Sequence, residues 1–140
     1  MKTYVKMVLI ALLVWFSLAV IGVSFGETTL TLRDFDFTTI LFFCIYAVLV
    51  ILYFLKENIF KYIMVVFCFL WLTAQAMNYF LSPAGVAAYN RIFNDTHHII
   101  SPSNTIAIPD TYHMILQALI ALAFVSLLVF CIKTRKSRTA

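Results

Sequence analysis

The chain has 140 residues, of which 64% are hydrophobic and 11% charged, and its mean hydropathy is +0.99. A soluble domain carries about a quarter charged residues. A chain this short would also leave too much of itself at the surface to hide so much apolar area from water. The bilayer is therefore the expected solvent. The net charge of +4 does not point to nucleic acid, because the basic residues sit mostly at the ends of apolar runs, where membrane topology accounts for them. Glycine and proline number three each, which argues against disorder and low complexity, and no repeat of solenoid period is present.

A bilayer core of about 30 Å needs about 20 apolar residues in a helix. Four stretches qualify in chain order: residues 5–25, 37–55, 59–81 and 113–132. The first has no charge after Lys6 and the second has none. The third contains Lys61 near its start, where a lysine can snorkel to the headgroups. The expected fold is an all-α integral membrane protein: one domain over residues 1–140, built as an antiparallel four-transmembrane-helix bundle. The connection at residues 56–58 is so short that spans two and three must pack as a hairpin. The first outer loop, residues 26–36, alternates Thr28, Leu30 and Leu32 with Thr29, Thr31 and Arg33, which predicts a short strand or extended crossing.

Orientation follows from Lys and Arg in the short loops. Lys2, Lys6, Lys56, Lys61, Lys133, Arg135, Lys136 and Arg138 fall on one side, eight of the ten basic residues. Arg33 and Arg91 fall on the other. Both termini are thus expected in the cytoplasm, in a plasma or inner membrane. A competing reading makes the first apolar run a signal peptide cleaved near Gly22-Val23-Ser24; against it, the run is longer than the usual 7–15 residues.

Residues 82–112 form a long outer loop with all three prolines and two of the three histidines. Pro83 and Gly85 mark a break. Val86, Tyr89, Ile92 and Phe93 then fall at helical spacing, which predicts a short interfacial helix over 84–94. Asn94-Asp95-Thr96 is a turn signal and also fits the glycosylation sequon. Pro109-Asp110 precedes the last span, so Asp110 is the expected N-cap, with its carboxylate on the backbone N–H groups of the first turn. That places His113 in the same turn.

Two groups of residues could carry chemistry. His97, His98 and His113, with Asp95 and Asp110, offer imidazole and carboxylate ligands suited to a divalent transition metal. Without a metal, His113 would be a general base oriented by Asp110. The competing reading is ordinary polar residues at headgroup level; no strong zinc spacing is present, and adjacent His97 and His98 would diverge on regular backbone. The second group is intramembrane. Trp71, Gln75 and Asn78 share a face of span three, and His113 and Gln117 share a face of span four. Gln75 and Gln117 lie at a similar depth, about 6–9 Å inside the outer boundary. Amides in hydrocarbon need partners, so Gln75, Asn78, Gln117 and His113 are expected to bond one another. They would act as interhelical glue or as the floor of a pocket opening outward.

Cys44, Cys68 and Cys131 all lie in spans and imply no disulfide framework. No span has a charge near its centre, which argues against an ion pump. Three functions remain. The first is a non-catalytic accessory, assembly or protective factor that binds another membrane protein or a lipid. The second is an enzyme acting on a lipid or lipid-linked headgroup at the outer face through His113, Asp110 and a loop histidine. The third is small-solute transport by an oligomer.

Overall fold

The computed structural model describes residues 2–34 and 36–139, except the side chains of Asn78 and 136–139. Five α-helices and one β-hairpin make up the chain: α1 (Lys2–Ile21), β1 (Val23–Phe25), β2 (Thr28–Thr31), α2 (Phe37–Leu55), α3 (Glu57–Met77), α4 (Pro83–Ile92) and α5 (Thr111–Thr139). A 3-10 turn, Asn78–Phe80, follows α3. Four of the helices, α1, α2, α3 and the Thr111–Arg135 part of α5, are long and apolar enough to cross a membrane.

The four long helices form a ring in which α1 packs on α2 and α5, and α3 packs on α2 and α5. Side-chain pairs fix the directions. Lys6 meets Phe54 and Phe16 meets Phe43, so α1 and α2 are antiparallel. Tyr46 stacks on Phe67 and Phe42 meets Trp71, so α2 and α3 are antiparallel too. Lys61 reaches Thr134 and Phe69 meets Phe124, which sets α5 against α3. The start of α1, the α2–α3 connection and the end of α5 therefore lie together at one end of the bundle. The hairpin and the 82–110 segment lie at the other.

The core runs along the middle of the ring, with Leu9, Leu12, Tyr46, Met64, Ile120 and Leu127 fully buried. Two tyrosines bury their rings and spend their hydroxyls on α1 carbonyls. Tyr46 donates to Leu9 O at 3.0 Å and Tyr112 to Phe16 O at 3.4 Å. The outer faces are as apolar as the inner ones. On α2, Leu41, Ile45, Val48 and Ile51 form an exposed stripe at helical spacing.

Three expectations are corrected. The first apolar run does not stay helical to residue 25. Gly22 adopts φ +74°, its N–H closes the helix on Leu18 O, and residues 23–25 turn back as β1, paired antiparallel with β2. The third span stops at Met77, and the chain leaves it through the 3-10 turn. Lys61 does not snorkel. It is 3% exposed; its Nζ donates to Thr134 Oγ1 at 2.8 Å and lies over the Phe130 ring, so the ammonium is taken up by α5 rather than by the surface. The strand expected near Thr28 and the helix expected near residue 84 are present as β2 and α4. Ser82 caps α4 through its hydroxyl on Gly85 N.

Gly22 is constrained twice. An added Cβ would meet Arg33 Cβ at 2.9 Å and the Arg33 backbone N at 3.0 Å, whereas a Cβ on Gly26, at φ +62°, would meet nothing within 4 Å. Gly26→Ala should therefore cost only the left-handed strain, about 1–2 kcal/mol. Gly22→Ala should cost distinctly more, because the backbone of residue 33 must also move. Thermal unfolding of both variants in detergent measures the difference; equal losses would show that the close approach at Gly22 contributes nothing.

Candidate functional site

The polar groups at the hairpin end are positioned by two helix starts. At α2, Asp36 is the N-cap and accepts from Thr38 N at 3.0 Å. Hydrogen bonding from the Thr38 side chain, and then from its backbone N–H, holds the Asp36 carboxyl below the usual range. Asp34 sits one turn earlier. Its Oδ1 accepts from Asp36 N at 2.9 Å, its Oδ2 from Thr39 Oγ1 at 2.7 Å, and its own N–H donates to Ala19 O. The chain thus crosses from α1 to α2 on backbone and carboxylate bonds.

At α5 the expected cap is present. Asp110 O accepts from Met114 N, and Asp110 Oδ1 accepts from His113 N at 2.8 Å. The same oxygen lies 2.7 Å from His113 Nδ1. Asp110 has no solvent exposure. Burial alone would push its carboxyl up, but the hydrogen bonds and charge of His113 outweigh burial and hold it below the ordinary value. An ionised carboxylate only accepts, so His113 Nδ1 carries the proton, and Nε2 is the nitrogen left to accept or donate. The ring is fixed by edge-to-face contacts with Phe93 at 4.9 Å and Tyr112 at 5.0 Å.

The 82–110 segment is tied onto this frame. Thr96 forms a parallel bridge with Thr29. His97 N donates to Thr29 O at 2.8 Å, and Thr111 N donates to His97 O at 2.9 Å. Hairpin, loop and α5 are therefore connected in series. The Phe93 carbonyl accepts from Thr96 Oγ1 and His98 Nε2. Asp110 Oδ2 has no hydrogen bond of ordinary geometry, and the Thr96 side chain near it also helps to hold the carboxyl low.

Between the hairpin-end parts of α1, α2, α3 and α5 lies a cavity of about 240 Å³. Phe16, Phe42, Trp71 and Leu116 supply apolar lining; Asp34, Thr38, Thr39, Gln75 and His113 supply polar lining. Trp71 is held by Phe16 at 5.0 Å and Phe42 at 5.1 Å.

The sequence-predicted residues divide accordingly. Trp71, Gln75 and His113 share the cavity. Gln117 does not join them: its Oε1 accepts from Tyr79 Oη at 2.9 Å, and it lines a separate depression with Ile108 and Pro109. The Asn78 side chain lies outside the described residues. Of the amides expected to bond across α3 and α5, Gln117 pairs instead with Tyr79 and Gln75 lies at the cavity. The histidines do not converge either. His97 Nδ1 shares a hydrogen bond with Thr111 Oγ1 at 2.7 Å, His98 turns to Phe93, and His113 is held by Asp110. Among the described residues no group of three or more His, Cys, Asp and Glu side chains is placed to hold a metal ion. Asp95 is exposed and accepts from Asn94 Nδ2. Asp34, Thr38 and Thr39 were not anticipated at the cavity; the Asp-x-Asp-x-Thr-Thr start of α2 carries the signal of a capped helix end.

No protein-family model, no curated protein and no solved structure matches the chain.

The cap generates a pH prediction. Because the folded pKa of Asp110 lies below its unfolded value of about 3.9, its stabilisation is complete above that value and is lost as pH falls through the lower folded one. Asp110→Ala should cost about 0.5–2 kcal/mol at neutral pH, and the gap to the parent should close on acidification below pH 4. Melting temperatures of both chains across that range check it; a gap that stays constant to pH 2 would contradict it.

Proposed function

We propose that the chain is a multi-pass membrane protein with both termini in the cytoplasm, acting as a non-catalytic accessory, assembly or protective factor. Its outer cavity receives part of a lipid or of a partner membrane protein. The membrane reading is supported by the exposed apolar side chains on all four long helices, such as Met7, Ile51, Val66 and Val125, because a soluble protein rarely exposes such continuous apolar surface. The orientation is supported by the gathering of Lys2, Lys6, Lys56 and Arg135 at one end, as the positive-inside rule requires.

The observation that carries the binding reading is the cavity itself. It has an aromatic and aliphatic depth, a polar lining of Asp34, Thr39, Gln75 and His113, and no lysine or arginine. Gln75 makes no hydrogen bond to another described residue, so its amide is available to a ligand. Ala74 lines the cavity and is otherwise exposed. Ala74→Phe should fill the cavity without disturbing the core. Native mass spectrometry of the intact chain, purified in mild detergent, should find a lipid or membrane protein at near-stoichiometric level. The variant should lose it at unchanged melting temperature. Recovery of the bare parent chain would count heavily against this function.

One observation favours a second reading. The Asp110–His113 pair has the geometry of an oriented general base, beside a cavity that could seat a lipid-linked headgroup. In that case His113→Gln should lower turnover of such a substrate about 10²–10⁴-fold while leaving it bound. An unchanged cellular phenotype in both His113→Gln and His113→Ala would remove the enzymatic reading and leave the binding one intact.

A further inference from the structure

The opposite end of the bundle carries a second cavity, of about 480 Å³, lined by Lys2, Lys6, Phe54, Leu55, Lys56 and Glu57, among others. We propose that it is a binding site for the phosphate of an anionic phospholipid, with the acyl chains lying along the exposed apolar residues beside it. The proposal rests on the reading that the long helices cross a bilayer, and it is independent of the outer cavity.

Three ammonium groups from two places in the sequence meet here. Lys2 and Lys6 come from the first turns of α1, and Lys56 from the connection between α2 and α3. Among the described residues only one carboxylate lines the same space: Glu57, 3.0 Å from Lys2. The Lys6 ammonium lies over the Phe54 ring at 4.7 Å, and both residues line the cavity. Lys56 makes no ion pair among the described residues. Its backbone closes α2 on Leu52 O and opens α3 by accepting from Ile59 and Phe60 N–H groups, so the side chain is anchored at its root.

Topology alone does not require this arrangement. The positive-inside rule asks for basic residues on one side of the membrane; it does not ask that they converge on one cavity, where their mutual repulsion is unfavourable without an anion. A phosphodiester supplies the missing charge. The surroundings fit the rest of the molecule. Leu55 is 73% exposed and Ile59 59%, so apolar surface begins directly beside the ammonium groups. A basic pocket between membrane helices on the cytoplasmic side is a recognised mode of anionic lipid binding.

The test uses the full chain in neutral detergent micelles, with lipid adducts and melting temperature read together. Phosphatidylglycerol and phosphatidylcholine of equal chain length are titrated in parallel, with inorganic phosphate as a third arm. Phosphatidylglycerol should bind and stabilise in preference to phosphatidylcholine. Lys56→Gln should weaken it about fivefold, and Lys2→Gln, Lys6→Gln and Lys56→Gln combined tenfold or more, on the scale of one surface lysine per anionic lipid contact. Lys133→Gln with Arg135→Gln, which leaves the cavity untouched, should change little. Equal response to both lipids would overturn the proposal, as would an unaltered preference in the triple variant. A response to inorganic phosphate as strong as that to phosphatidylglycerol would also overturn it, in favour of a soluble anion. Lys2 and Lys56 are exposed and Lys6 is half-buried; glutamine keeps most of each stem, so the triple variant should fold and melt close to the parent without lipid. A chain that stays monodisperse in water without detergent would refute the membrane reading separately.

Discussion

The buried carboxylate of Asp110 is the interaction on which the hairpin end of the molecule depends. A charge removed from water is costly unless hydrogen bonds replace its hydration. Asp110 obtains two from His113, one from the backbone and one from the ring, at the positive end of a long helix. With the start of α5 fixed in this way, Thr111 presents its N–H to His97 and its hydroxyl to the His97 ring. His97 in turn reaches the backbone of β2. The loop has little regular structure of its own beyond α4, yet it is held by this chain of bonds to the hairpin. The same carboxylate fixes the tautomer and the orientation of His113 beside the cavity. One residue therefore sets a helix boundary, a loop position and the chemistry of a cavity wall.

What could be read from the sequence followed from what is local. The four long apolar helices follow from apolar length. The cap at Asp110 came from Pro-Asp before an apolar run, and α4 from Pro83 and Gly85 followed by apolar residues at helical spacing. The misreadings occurred where hydropathy and geometry diverge. Val23 and Phe25 are apolar enough to continue a span, so the end of α1 at Gly22 and the strand β1 were hidden by composition. Helical spacing correctly put Trp71 with Gln75 on one face, but it cannot give the rotation of one helix against its neighbour. Packing decides that rotation, and it turns Gln75 toward the cavity and Gln117 toward Tyr79. Lys61 shows the same limit. Its depth was legible, but the Thr134 hydroxyl that makes burial tolerable lies 73 positions along the chain.

The two ends of the bundle use different physics. The hairpin end neutralises its carboxylates internally: Asp34, Asp36 and Asp110 all accept backbone N–H groups, and they shape a rigid rim. The other end gathers ammonium groups with one carboxylate among them and leaves most of that charge facing outward. Between them the long helices expose apolar side chains. This polarity supports the proposal of a different class of ligand at each end. A preformed, partly aromatic cavity suits a group that enters from one face. The lysines suit an anion that arrives along the surface.

The Asp110–His113 pair is the feature that most resembles catalytic machinery, yet its first duty is structural. Asp110 Oδ1 serves the helix cap and the imidazole at once, so any substitution there disturbs both and cannot separate chemistry from folding. The cavity offers a cleaner separation. Gln75 and Ala74 touch its interior without holding up the core, and Thr39 holds Asp34 without entering the α5 network. A triad-like site would also need a nucleophile or a positioned water opposite the base. Thr38 and Thr39 line the same cavity, and Thr39 already donates to Asp34. The cavity offers a shaped apolar depth, an unspent amide and a fixed imidazole. Those features support the proposed binding reading of this cavity.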